Sequence, residues 1–243
     1  MNPIIQSLFD RKSVRAFEDR PISEEDRNLI LDAAIQAPTA GNQALYAMLD
    51  IRDQGIKDAL AVSCDNQPFI ATAPMVLVFL ADTRRWLDCY EYAGAPHRKP
   101  EAGDLVIACE DALIAAQNAV VAAQSLRLGS CYIGDILENK EDVTRFLHLD
   151  EYVFPVAMLV FGYPTAQQRD RPKPKRFGRD YIVHKDTYSR LPEARLRSMF
   201  RDVHPEHDFD QFMNAFCKRK YMSDFAVELS RSVREYLKPF LHK

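Results

Sequence analysis

Arg11, Ser13 and Arg15 stand two residues apart in R-K-S-V-R, so in an extended segment they share one face. Two guanidiniums and a hydroxyl on one face form a phosphate cradle, because each guanidinium is a fork of donors that matches phosphate oxygens. A second basic set, Lys173, Lys175 and Arg176, is again spaced by two. Each cluster alone also reads as solvated charge. Together they suggest a doubly charged ligand gripped from both ends of the chain. Thr39-Ala40-Gly41-Asn42-Gln43 adds a hydroxyl and two carboxamides. Carboxamides recognise amide edges of a heterocycle, since each supplies a donor and an acceptor. Plain turn chemistry explains Gly41 and Asn42 equally well. Gln67 is open in the same way, and residues 129–134 (G-S-C-Y-I-G) also read as a helix C-cap followed by a turn.

Other chemistries are poorly served. His204-Pro205-Glu206-His207 has ligand-type residues, but Pro205 interrupts the helix that would align the two histidines, so no metal site is expected. No G-x-S-x-G elbow occurs, and no side chain is nominated as nucleophile or acid/base pair. The five cysteines lack a C-x-x-C pair, which fits neither a disulfide framework nor a zinc site and suits a reducing compartment. Glycine is scarce, 8 against 14 prolines, and neither G-x-G-x-x-G nor G-x-x-x-x-G-K-[ST] is present. A nucleotide bound here must therefore be held by side chains. With 32 Lys+Arg against 35 Asp+Glu, the formal net charge of −3 argues against a nucleic-acid binder with an overall basic surface.

The elements that must position these groups follow from pattern. Asn2-Pro3 opens a short helix, and Ser23 followed by Glu24, Glu25 and Asp26 caps a second that Pro38 stops. Residues 46–51, 75–81 and 156–163 read as strands. Residues 104–128 form a long helix of roughly 38 Å, apolar on nearly every face. Such a helix must be buried all round, which one domain of this size rarely achieves, so a partner subunit is expected. Residues 169–179 are basic and proline-punctuated, an extended excursion, and a charged helical tail including 224–240 lies beyond Leu191. No signal peptide or bilayer-spanning apolar run is read, making the cytoplasm the default.

R-K-S-V-R-A-F, then P-I-S, a helix and A-P-T-A-G-N resembles the opening of the FMN-dependent nitroreductase family. Y-I-G-D-I after the long helix is similar to that family's flavin-contacting segment, and K-P-K…V-H-K-D-T-Y to the basic motif of its flavin reductase branch. The resemblance implies an α+β fold, with a mixed, mostly antiparallel sheet flanked by helices, in an intertwined homodimer with FMN at the interface. It covers residues 1–190 as the FMN-binding domain and leaves 191–243 as a helical extension packed on it. Arg11 and Ser13, with Lys12 between them, would hold the phosphate together with Lys173 and Lys175. Arg15 would reach the ribityl and the N1/O2 side of the isoalloxazine. Thr39, Gly41 and Asn42 would face the ring across the interface, Gln67 its pyrimidine edge, and the backbone of Ile133 and Gly134 its N5 region. Two departures stand out: Gln43 follows Asn42 directly, and Lys175 takes a position that is usually Arg.

The implied activity is NAD(P)H:acceptor oxidoreduction, with ping-pong hydride transfer through flavin N5 to a nitroaromatic, a quinone or free flavin. NADPH or NADH is the co-substrate, and Arg195, Arg197 and Arg201 are either a 2′-phosphate site or solvated helix charge. The alternatives are a relative with other chemistry, such as reductive dehalogenation, and a non-enzymatic FMN-binding protein. Neither nucleic acid nor membrane is an expected partner.

Overall fold

The computed structural model describes residues 1–241. Two compact units divide the chain: Met1–Arg171 with the segment from Glu228 onward, and Pro172–Val227. The breaks thus fall at 171/172 and 227/228, and the C-terminal segment returns to the first unit.

The first unit holds four strands, β1 (Tyr46–Ile51), β2 (Met75–Asp82), β3 (Gly129–Ile133) and β4 (Val153–Gly162), in the order β1-β2-β4-β3. All three ladders are antiparallel, and one parallel bridge, Ser13↔Ser130, adds the N-terminal segment beside β3. Helices α1 (Pro3–Asp10), α2 (Glu24–Ile35), α3 (Gln54–Ser63), α4 (Pro68–Thr72), α5 (Arg84–Tyr92), α6 (Ala102–Ser125), α7 (Lys140–Leu147) and α8 (Ala166–Asp170) surround it. Side chains alternate across the central strands, as a pleat requires. Leu77, Phe79, Leu159 and Phe161 join a core with α2 and α6. Val76, Val78, Leu80, Met158 and Val160 join a second core with α3 and α7. Burial on both faces is why β2 and β4 read as continuous apolar runs.

The long helix is shorter than its apolar pattern suggests. Glu101 and Asp104 form a reciprocal capping box at the start of α6. At its end Leu126 caps and Arg127 turns left-handed at φ 63, although Leu126 and Leu128 prolong the helical pattern. Residues 129–134 are not a simple turn: Gly129–Ile133 pairs with β4 from Gly129↔Gly162 to Ile133↔Met158. The alanine face of α6 (Ala108, Ala112, Ala115, Ala119, Ala123) is buried, whereas Val106, Ile107, Leu113 and Ile114 are exposed. By length and composition this helix would suit a bilayer crossing, but its alanine face is already spent on the protein core.

Two paired glycines receive the N-terminal segment. A Cβ on Gly129 would lie 2.6 Å from Val14 Cγ2, and one on Gly162 would lie 2.7 Å from the Phe17 ring. Only hydrogen fits at either place. Helix α12 (Asp224–Leu237) then closes the unit from the far end of the chain. Its fully buried Ser232 accepts the Lys140 N–H at 2.8 Å, capping α7 where left-handed Asn139 supplies no side-chain cap. Tyr236 and Phe240 meet Phe154 and Tyr152 edge-on, each at 5.3 Å.

The second unit starts with residues 172–178, which form neither helix nor strand, as their composition suggests. It continues through α9 (Arg179–Ile182), α10 (Glu193–Val203) and α11 (Phe209–Lys220). Its apolar centre is Phe200, packed on Phe209 and Phe212 at 5.4 and 4.8 Å.

Candidate functional site

Residues 11–15 run extended beside β3, with the Val14 N–H donating to Ser130 O at 2.9 Å. Val14 turns inward onto Gly129, so its neighbours Ser13 and Arg15 belong to the opposite face, as the spacing of two requires. A 510 Å³ cleft opens here, and Arg11, Lys12, Arg127 and Arg169 all line it, with Asp10 as the one acidic group. Arg11 Nε is buried and lacks a hydrogen-bond partner in the described chain. Its guanidinium lies 5.8 Å from the centre of the Tyr132 ring. Burial pushes the Tyr132 hydroxyl up to about 12, and Arg11 opposes that rise.

Lys12 and Arg169 are held more firmly. Lys12 Nζ donates to the carbonyls of Arg169, at 2.6 Å, and of Arg171. Arg169 pairs with Glu18 at 2.6 Å, and Arg171 donates to Ser13 O, also at 2.6 Å. Sequence spacing misses Arg127 and Arg169 because only folding brings them beside Arg11. Arg127 arrives through its left-handed turn and Arg169 on α8.

The loop from Thr39 to Leu45 is built by a residue that no local pattern reveals. Gly41, Asn42 and Ala44 have φ of 57°, 56° and 49°, a run of left-handed residues that needs support. The Thr39 hydroxyl accepts the Ala44 N–H at 3.1 Å, so it serves the turn. Buried Asp111 on α6 accepts the N–H of Ala40 at 2.9 Å through one oxygen and that of Leu45 at 3.1 Å through the other. Trp86 donates to Gln43 O at 2.8 Å, and Arg85 donates to the carbonyls of Ala44 and Tyr46. Gly41 and Asn42 are left exposed at the tip.

The remaining candidates are scattered within the single chain. Gln67 N-caps the short helix α4 by position, while its side chain donates to Cys64 O at 2.8 Å. Ile133 is buried at the end of β3, and Gly134 is exposed, with no atom within 4 Å of where a Cβ would lie. None of Ser13, Arg15, Thr39, Gly41, Asn42, Gln67, Ile133 and Gly134 lines the cationic cleft. Lys173 and Lys175 belong to the second unit, in its irregular opening stretch. Arg197, one of the three arginines considered for a 2′-phosphate, is committed to Glu193 at 2.8 Å and to Asp210 at 3.0 Å. Glu138 closes the turn that Gly134 begins. Burial first, then Asp135, Asp65 and Glu228, raise its carboxyl to about 7.

Comparison with known proteins adds the family context. The Nitroreductase family model matches residues 8–163. The FMN reductase [NAD(P)H] of Bacillus subtilis is 27% identical over 247 residues, covering 100% of this chain and 97% of that protein. The oxygen-insensitive NADPH nitroreductase of Salmonella typhimurium is 30% identical, covering 100% and 98%. The solved structure of the NfrA1 nitroreductase from B. subtilis superposes with a TM-score of 0.77 at 26% identity, over 93% of this chain and 98% of that one.

Proposed function

The chain belongs to the nitroreductase family, and from that premise we propose that it is an FMN-dependent NAD(P)H:acceptor oxidoreductase, reducing nitroaromatics, quinones or free flavin by a ping-pong route. The observation that carries the reading is the buried Arg11 Nε without a partner, in a cleft that gathers four cations. A phosphate monoester such as that of FMN is a dianion with several acceptor oxygens, the partner such a cleft suits. Gly134 supports the fit independently, because the open space beside it leaves room for a flat ring to lie close to the backbone.

In this reading Arg11, Lys12 and Ser13 hold the phosphate. Lys12 is fixed by two carbonyls, so it offers an oriented charge that need not be ordered on binding. Arg15 is exposed and stabilises negative charge at the N1/O2 edge of the ring. Gln67, Ile133 and Gly134 face the ring from the same subunit, and Thr39, Gly41 and Asn42 from a second one. Bound FMN would supply the two-electron chemistry between NAD(P)H and the acceptor, which is why no protein nucleophile is required.

The homodimer belongs to the same proposal. Val106, Ile107, Leu113 and Ile114 recur at a spacing of seven along one exposed face of α6, and α1 adds exposed Ile4 and Ile5. A second copy covering this face would satisfy the helix that one chain buries only in part. A cytoplasmic location is part of the reading too, supported by five free cysteines. Any preference for NADPH rests on Arg195 and Arg201, since Arg197 is already paired.

Anaerobic titration of the purified yellow protein with NADH and with NADPH tests the proposal. Bleaching of the visible flavin band by either nucleotide, and its return on adding a quinone, is the expected result. A protein that stays oxidised with both nucleotides, or that fails to bind added FMN, overturns it.

A further inference from the structure

We propose that His204, Glu206 and His207 form a binding site for a divalent transition-metal ion of the Zn²⁺ class. Pro205 breaks the helix that would align the two histidines. In the structure a turn aligns them instead. His204 caps α10 and leaves the helix at φ −128. Pro205 and Glu206 reverse the chain, and the His207 N–H donates to His204 O at 3.2 Å. One ligand atom from each of His204, Glu206 and His207 then lies within 4.8 Å of the others. Asp208, next in sequence, takes no part because its side chain accepts the Gln211 N–H at 2.9 Å and caps α11.

A second observation separates this cluster from a chance gathering of surface groups. Both imidazoles rest on one aromatic platform. The His204 ring is stacked on Phe212 at 5.0 Å and 28°, and the His207 ring lies 5.3 Å from the same Phe212. His204 also packs 5.1 Å from Phe200, which is only 2% exposed. The platform restricts both rings before any ion arrives, which lowers the ordering cost of binding. His207 Nε2 already meets Glu206 Oε1 at 3.2 Å, so two of the three ligand atoms stand together before an ion arrives.

Two imidazoles and one carboxylate select by chemistry. They suit Zn²⁺, Cu²⁺, Ni²⁺ or Co²⁺, and disfavour Mg²⁺ and Ca²⁺, which take oxygen ligands. An ion at roughly 2.0–2.2 Å from each ligand is reached by rotation of Glu206, whose side chain is exposed. Water completes the coordination. The ion would staple the end of α10 to the start of α11, a role independent of flavin binding.

The test uses the full-length, flavin-loaded protein without a histidine tag. Isothermal titration with Zn²⁺ is expected to give one saturable site per chain, and Co²⁺ a visible d–d absorption band, while Mg²⁺ gives neither. H204Q and H207Q each weaken binding by more than about tenfold, and His184→Gln leaves it unchanged. Far-UV circular dichroism matching the parent assigns the loss to missing ligands and not to misfolding. Absence of saturable Zn²⁺ binding, or an affinity unchanged in the H204Q/H207Q double variant, overturns the proposal.

Discussion

Asp111 ties the loop from Ala40 to Leu45 onto α6, although nothing in the sequence marks it. Its partners, Ala40 and Leu45, lie 71 and 66 residues away, so no local motif could have pointed to it. The D111N variant keeps the size but turns one acceptor into a donor facing a backbone N–H. We expect a loss of about 1–3 kcal/mol in urea denaturation, with weaker FMN retention. By contrast, the extended course of residues 11–15 was legible because it is a local property of the chain, whereas the cleft is lined by Arg11 with Lys12 and not by Ser13 or Arg15. Glu138 yields a pH prediction. Its carboxyl sits at about 7 in the fold against an ordinary 4.5, so the folded state holds the proton more tightly. That stabilisation is complete below about 4.5 and is lost as pH rises through about 7. Thermal melts of Glu138→Gln should therefore show a flatter pH dependence across this window, with the largest gain over the parent at its upper end.

Elements were legible where pattern and burial agree. Strand β1 has the expected bounds, β2 was visible as an apolar run after Pro74, and β4 as one before Pro164, although it starts at Val153 and takes Pro155 into the strand. Strand β3 was not, since five residues beginning with glycine carry too little periodicity to outvote a turn. Gly129 and Gly162 acquire meaning only once they face each other across β3 and β4 and admit Val14 and Phe17. Gly162→Ala places a methyl 2.7 Å from the Phe17 ring and 2.9 Å from Pro74, neither of which is a flexible chain end. The expected cost is about 1–3 kcal/mol, read as a lower melting temperature. Because Phe17 continues the segment that carries Arg11 to Arg15, faster FMN loss on dilution should accompany it.

At the scale of the whole molecule, the family fold was legible from four motifs in register. The division into units was not, because helical periodicity says nothing about which core a helix joins. The exposed face of α6 makes a prediction about assembly. Ile114→Glu puts a charge where the proposed second copy packs, so light scattering should show monomer where the parent is a dimer, with reduced FMN content. A parent protein that is monomeric at every concentration would remove the dimer from the proposal. The return of α12 to the first unit has another consequence. The first unit is written in two separate stretches of sequence, held together by Ser232, by Arg231 bridging Glu141 and Glu228, and by the rings of Tyr236 and Phe240. A protease cut in the exposed stretch 183–190 therefore severs the covalent chain without freeing its end. The C-terminal fragment remains as a non-covalent subunit of the molecule it was cut from.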